Sequence, residues 1–594
     1  MTRFLAALLL LCAPAFSEPL VYLDMAPVLA RCGGDTVLQY DMLKLVASLQ
    51  GLVNRDAPRL AIRLLGGAGQ SGSVNVDDYW LEILQQGWLK DREILRIDSL
   101  EALFARFPEA LTGAVLWDPK VPATSNVAST ICGVEGWLPV RAGSALYDQV
   151  VAAGPMLPVK LSLVDRFDGG ESGSAKCDAY LWAKREYLDA GRCNDRLLAY
   201  CVDAFSQTPK APGFQYPDLD NAVLANQDYY VAKKAFFLDL SPWADEAPND
   251  DPGQPLGTDR ATFAAILKAL AVQNGGDTMA TVSGFTPWNQ KYTDHGNAGG
   301  KHGGVPTEWE HAALVSSFNA VMDADALGQS GLANASAYRH YPLQARYTQM
   351  PPPPRALEAK TYVLVYMGDY DSSAWLSRNI PNVWDDPARG TLPMAWAFNP
   401  NLADRIPQVF DHVFATKTEQ DWFIGGDSGA GYLNPNLLKG DRLGSGLPDA
   451  LDLWVRHNQH YYTRFDYAIT GFVINGFHGD MPLAVQQAYA KFSPRGVGMQ
   501  LGFAQPLVDG TPFLRHARDL YPNPGNLDGA VSEVMASAAG AVPQFLIFRM
   551  ILQKPSTVAA LIQRLKETHG ERNWEFCDPY TFFDLYKQHI SPSP

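Results

Sequence analysis

"TYVLVYMGDYDSSAW", Thr361 to Trp375, sets the pattern by which the rest of the chain is read. Its first eight residues, largely β-branched and aromatic, spell a buried strand, and Asp369, Asp371 and Trp375 follow at the carboxyl end. The same sentence recurs on both sides: an apolar run, then acids, aromatics or a glycine-rich loop. "AFFLDLSPW" leads into Asp239, Trp243, Asp245 and Glu246, and "TMATVSGFTPWNQKYTDH" carries Trp288, Asn289, Tyr292 and His295. "VPTEWEH" carries Glu308, Trp309 and Glu310, and "LPMAWAFNP" carries Trp396 and Asn399. "DWFIGGDSGAGYLNP" carries Asp427, Ser428 and Tyr432, while "FDYAITGFVINGFHGD" carries Asn475, His478 and Asp480. "ASAYRHY", "GVGMQLGF" and "VPQFLIFRMI" read as further strands, and stretches such as "RATFAAILKALAVQ" and "LAVQQAYAKF" as helices between them. About eight strands, each followed by a helix or long loop, predict a C-terminal (β/α) barrel-like domain over residues 229–594. In such a domain the carboxyl strand ends share one face, and that face holds the active site.

Upstream the units are smaller. "PLVYLDM", "RLAIRLL", "EILRI" and "GAVLWD" alternate with the helical "DYWLEILQQGWL" and "SLEALFARF". Residues 18–228 therefore read as an N-terminal α/β region of two or three small subdomains, and the whole chain as α/β. At 594 residues it is too long for one core.

Residues 1–17 have a basic Arg3, an apolar run from Phe4 to Ala13, and the small-x-small end Ala15-Phe16-Ser17. This predicts a secretory signal peptide, hence an extracytoplasmic protein, and the run is too short to leave a membrane span after cleavage. Six cysteines follow it: Cys32, Cys132, Cys177, Cys193, Cys201 and Cys577. An even number in a secreted chain predicts disulfides, mostly in the front region, and the absence of C-x-x-C spacing argues against a cysteine-held metal. A net charge of −15 makes nucleic acid an unfavourable partner, whereas a neutral glycan meets no such repulsion.

Gly-Asp-Ser-Gly at Gly426–Gly429 imitates the nucleophile of a serine protease. The α/β surroundings do not fit that fold, and alanine at 430 breaks the lipase pattern. The loop reads better as a tight glycine turn presenting Asp427 and Tyr432. His295 with His302, and His457 with His460, lack a ligand set of metal spacing, so neither a metal nor a cofactor is expected. Acids beside flat aromatic faces are what glycan cleavage requires: one carboxyl protonates the leaving oxygen and another acts as base or nucleophile.

"GAGYLNP", Gly429 to Pro435, resembles the signature of the GxGYxYP putative glycoside hydrolases. "SLQGLVNRDAPRLAI", "LSPWADEAPNDDPGQPLGTD", "GFTPWNQKYTD", "VPTEWE" and "YMGDYDSSAWL" are similar to that family as well, over about residues 20 to 480. Gly429, Gly431, Tyr432 and Pro435 match, while the second signature tyrosine is Asn434 here. The resemblance implies small N-terminal α/β domains, a barrel-like C-terminal domain and sugar processing outside the cytoplasm; it supplies no catalytic pair.

The residues themselves suggest Asp369, Asp371, Glu308, Glu310 and Asp427 as candidate acids, with Asp369 and Asp427 the favoured pair because each directly follows a strong strand. Trp309 or Trp375 would give one of them an apolar surround. Trp243, Trp288, Trp309, Trp375, Asn399, Tyr432, Asn434 and His478 are the expected substrate contacts. The expected function is a secreted glycoside hydrolase acting on a poly- or oligosaccharide. The alternatives are a non-catalytic glycan-binding protein and a metal-dependent carbohydrate deacetylase or esterase.

Overall fold

The computed structural model describes residues 18–64, 74–152, 156–206, 227–248, 250–286, 288, 300–325, 332–476 and 478–591. The leader at 1–17, Asn289, Tyr292 and His295 lie outside the described residues.

Among the described residues four sheets organise the chain. The first contains β1 (Leu20–Asp24), β2 (Leu60–Arg63) and β3 (Ile94–Ile97) in the order β2-β1-β3. The second contains β4 (Ala114–Trp117), β5 (Leu138–Arg141) and β6 (Val159–Ser162) in the order β5-β4-β6. The third contains β7 (Leu197–Tyr200), β8 (Phe236–Leu238), β9 (Ala280–Ser283) and β10 (Ala320–Asp323) in the order β8-β7-β9-β10. All pairings in these sheets are parallel, and in each the first strand is flanked by the second and third. This is the start of a doubly wound order, repeated three times without a sequence repeat that shows it. Residue 228 falls inside the third sheet, because β7 precedes it and β8 follows it.

The large sheet contains β11 (Thr361–Tyr370), β12 (Met394–Phe398), β13 (Asp421–Asp427), β14 (Ile469–Phe472), β15 (Gly496–Met499), β16 (Leu507–Val508), β17 (Thr511–Arg515), β18 (Arg518–Leu520), β19 (Gln544–Ile551) and β20 (Trp574–Phe576). Its path is β16-β17-β15-β14-β13-β12-β11-β19-β18, with β20 also on β11. The expected barrel is corrected on two counts. The strands β8 to β10 belong to a separate sheet, and the hydrogen-bonded path of the large sheet does not close. Apart from the two-residue β16, which folds back antiparallel on β17, it ends on β17 at one side and β18 at the other, two successive pieces of one chain segment. Between them the His516 N–H donates to the Met499 carbonyl on β15, and the Ala517 N–H to the Ile547 carbonyl on β19. The sheet is thus curled until one extended segment serves both of its ends.

"ASAYRHY" is not a strand either: Ala335–Tyr338 is a helical turn. Asn334, at φ 70°, fixes it by trading hydrogen bonds with the Ile62 N–H and carbonyl on β2, which ends the extended run before it begins. The predicted disulfides are absent. All six cysteines are buried free thiols on separate elements of the core. Among the described residues no helix is long and apolar enough to cross a membrane.

Candidate active site

The carboxyl ends of the third sheet and of the large sheet face one another, and the polar residues of the chain's most apolar strands meet there. The glycine loop joins the two. Tyr432 pairs with Met322 on β10, N–H to carbonyl in both directions (2.7 and 3.0 Å). Gly431 approaches β10 at φ 105°, where a Cβ would lie 2.7 Å from the Val321 side chain, so only glycine fits. Ser428 is structural. It is fully buried at φ 66°; its hydroxyl donates to the Leu433 carbonyl (2.6 Å) and accepts from the Ile474 N–H (3.3 Å).

Strict alternation along β11 would put Asp369 and Asp371 on the face opposite Tyr366. The β11–β12 register shifts between Met367 and Tyr370, with Asp369 in the left-handed region at φ 65°. A bulge of this kind changes the phase of the strand. Both carboxyls therefore join Tyr366 on the inner side, while Tyr370 packs outward on Trp396 and Phe398. The turn is then locked from the third sheet. Asp323 accepts from the Ser373 N–H (2.9 Å) and hydroxyl (2.6 Å), and Asp325 accepts from the Ser372 hydroxyl and the Ala374 N–H (2.5 and 3.1 Å). Arg405 bridges the two aspartates (2.9 and 2.5 Å), so both buried carboxyls share one cationic partner.

Inside the cluster Asp371 donates a hydrogen bond to Asp427. Burial, then the charge of Asp427, hold the Asp371 carboxyl well above the usual carboxylate range. Burial raises Asp427 too, but Arg549 and the hydrogen bond from Asp371 both favour its anion. Two like charges at contact cannot both persist, so the pair shares one proton. Glu308, half-buried on the helix Gly304–Ser317, is pushed up to about 7, first by burial and further by Asp369 and Asp427. The Trp288 Nε1 donates to its Oε2 at 2.8 Å, with the indole 45% exposed, and the buried Tyr432 phenol adjoins it. Asp369 is ion-paired to Arg549 (2.5 Å), whose other nitrogen holds Asp519 (3.1 Å).

The remaining sequence candidates stand elsewhere. Glu310 lies two residues from Glu308, roughly 200° around the helix, and pairs with Arg260 at 2.7 Å. Trp243 donates to the Thr307 hydroxyl and stacks on His302 at 3.5 Å, on the loop beside the helix start. Trp309 packs against Gly476, and Trp375 faces Arg378 one turn on. Asn399 is fully buried behind β13, its amide donating to the Asp427 carbonyl (3.4 Å). Asn434 donates to the Asn475 carbonyl and caps the turn Pro435–Leu438. His478 is kept neutral by burial on the Glu310 side. Arg549, Asp519, Tyr366, Asp323, Asp325 and Arg405 were not anticipated. The lone arginine in the apolar "FLIFRMI" was the one readable signal among them. Among the described residues no three His, Cys, Asp or Glu side chains are placed to hold a metal ion.

Residues 359–587 match the model of the GxGYxYP putative glycoside hydrolase C-terminal domain. That part of the chain is similar to the GxGYxYP C-terminal domain. It contributes Asp369, Asp371, Asp427, Asp519 and Arg549, whereas Glu308 and Trp288 come from the chain before it. Over nearly its whole length the protein is similar to the crystal structure of a putative hydrolase from Bacteroides thetaiotaomicron, at 17% identity and a TM-score of 0.67, covering 97% of this chain and 96% of that one. A likeness at that identity speaks for a shared fold. A putative polysaccharide deacetylase from Mycobacterium smegmatis aligns with 41% of this chain and 97% of its own at 12% identity and a TM-score of 0.28, too loosely to carry an argument. No curated protein matches the sequence.

Proposed function

We propose that this protein is a secreted glycoside hydrolase that cleaves a poly- or oligosaccharide with Glu308 as general acid and the Asp371–Asp427 pair as its anionic partner. The observation that carries the reading is the pair itself: two carboxyls in hydrogen-bond contact hold one proton and one negative charge, a few side chains from a third carboxyl raised into the neutral range. That division of labour is what acetal cleavage needs. Glu308 gives its proton to the departing glycosidic oxygen as the C–O bond breaks. The charge on the pair either takes a proton from an attacking water or attacks the sugar carbon directly. Asp371, at 9% exposure the more accessible member, receives the water's proton or attacks the carbon as its own shared proton passes to Asp427, which lies behind it at 2%. The exposed face of Trp288, fixed to Glu308 by its indole nitrogen, supplies a platform for a sugar ring beside the proton donor. The family of the C-terminal domain supports a carbohydrate substrate. The N-terminal leader pattern supports export.

The test is release of new reducing ends from a panel of neutral polysaccharides by the pure protein, with Asp371→Asn and Asp427→Asn as controls. No product from any glycan, or equal release by both variants, would remove the reading. The anomer first released, followed by NMR, separates attack by water from attack by carboxylate.

A further inference from the structure

We propose that Arg549 is a positioning residue that decides which member of the Asp371–Asp427 pair keeps the shared proton. Register alone places it. Arg549 on β19 is the partner of Tyr366 on β11 and of Asp519 on β18, and partners in neighbouring parallel strands project from the same face. The row Asp519–Arg549–Tyr366 therefore forms a shelf across three strands inside the curled sheet. Room is reserved for it: a Cβ on Gly368 would lie 2.5 Å from the Tyr366 ring and 3.3 Å from the Arg549 Nε. The guanidinium is held from both sides, by Asp369 at 2.5 Å and Asp519 at 3.1 Å, and rests over the Phe472 ring at 4.5 Å. It cannot swing away without abandoning two carboxylates.

Its field falls unequally on the pair. The groups facing Asp427 are Asp371 and Asp369 at the end of β11, Asp519 on β18, Arg549 on β19, and the buried phenols of Tyr366 and Tyr432; Glu308 looks in from the opposite helix. His516, beside Tyr366 and Phe472, is kept neutral by burial and adds no charge. Asp369 and Asp519 disfavour an anion at Asp427, Arg549 opposes them most strongly, and the hydrogen bond from Asp371 acts in the same sense as Arg549. For Asp371 the leading influences after burial are Asp427 and Asp369, both unfavourable to its anion. Arg549 thus leaves the proton on Asp371 and the charge on Asp427. It touches Asp369 and Asp519 rather than the pair, which makes it a positioning residue. The assignment relies on the proposed hydrolysis only where activity is measured.

The experiment is an infrared titration of the protonated carboxyl band in the full chain carrying 13C-labelled aspartate, with Asp371→Asn assigning the band. Arg549→Gln removes the charge and keeps a donor, and Arg549→Lys keeps the charge. The Gln variant should raise the apparent titration of Asp427 by about one pH unit or more, and the Lys variant by less than half of that. If Gln does not fold, Asp519→Asn, on a half-exposed residue, should lower the same titration by a measurable fraction of a unit. A titration unmoved in folded Arg549→Gln, equal shifts in Gln and Lys, or no change in Asp519→Asn would each overturn the assignment. The acid limb of kcat/KM should follow the band. A band that moves while no glycan is ever cleaved leaves Arg549 its role and removes the glycosidase reading instead.

Discussion

Asp371 hydrogen-bonds Asp427 across the position of β12, although the two aspartates come from strands that never pair with each other. One carboxyl of such a couple must be protonated for the other to be charged, so neither is replaceable by a residue that cannot titrate. Asp371→Asn and Asp427→Asn should each lower kcat by about 10²–10⁴-fold while leaving the far-UV circular dichroism unchanged. Asp369→Asn should fold equally well, since asparagine tolerates the left-handed backbone at this position, and should cost less than either. A Asp369→Asn variant slower than both would return that residue to the reacting pair.

Glu308 predicts the alkaline side of the pH profile. With its carboxyl near 7, the protonated acid is lost as pH rises through neutrality, and kcat/KM should fall there with a slope of one proton. Stability follows the same sign. Between the ordinary value of 4.5 and about 7 the folded state binds more protons at Glu308 than the unfolded chain, so stability declines as pH rises through that window. Glu308→Gln removes the decline. Its Tm relative to the parent should be more favourable at pH 8 than at pH 5, with the alkaline limb of activity gone. A variant that keeps that limb would exclude Glu308 as the proton donor.

How far the sequence foretold this site depends on what each signal measured. Strong strands with acids at their carboxyl ends were readable because burial leaves an uninterrupted apolar run and then a polar break, and Asp427 and Asp371 came from that pattern; Glu308, grouped with them in the sequence, sits instead on a helix. Which sheet a strand enters was not readable, since β8 to β10 look no different from β12 or β13; hence a barrel was expected where two sheets meet. Preference for Asp369 over Asp371 followed from simple proximity to a strand, and the bulge that turns both carboxyls inward is a backbone event with no residue-type signature beyond Gly368. Asp519 lies in "TPFLRHARDL", whose proline, arginines and histidine hide a segment that bonds β15 with one half and β19 with the other. The disulfides failed for a different reason: cysteine is also a good small core residue, and composition cannot separate the two uses.

Trp288 couples the sugar platform to the acid through a single hydrogen bond of 2.8 Å. Trp288→Phe keeps a flat ring but removes the donor that favours the Glu308 anion. Its alkaline limb should move to higher pH with KM changed little. Trp288→Ala removes the face as well and should raise KM by roughly tenfold, as the loss of about 1–1.5 kcal/mol of aromatic contact implies. Identical profiles for both variants would mean that the indole only fills space.

Gly431 is the hinge pin of the loop that carries Tyr432. Alanine there meets Val321 at 2.7 Å and an unfavourable φ of 105°, at a cost of about 1–3 kcal/mol. Gly431→Ala should lower the apparent Tm by several degrees and reduce kcat more than the temperature shift accounts for, because Tyr432 and Glu308 lose their registry. Full activity below the new Tm would show that the loop's seat on β10 is irrelevant to the site.

The charge of the cluster sets which glycans can react. Asp369, Asp427 and Asp519 face one guanidinium, and Asp371 and Glu308 face Asp427, so with Asp371 and Glu308 both protonated the cluster still carries an excess of negative charge. A sugar carboxylate placed about 5 Å from one unpaired anion at an effective dielectric near 20 meets roughly 3 kcal/mol of repulsion, or about a hundredfold in kcat/KM. A neutral β-glucan and the same polymer oxidised to the uronate at C6 differ only in that charge and isolate it. The neutral polymer should be cleaved at least a hundredfold faster at low ionic strength, with the gap narrowing as salt is added. Equal rates on both polymers would place the scissile bond away from this cluster and end the case for its carboxylates as the machinery.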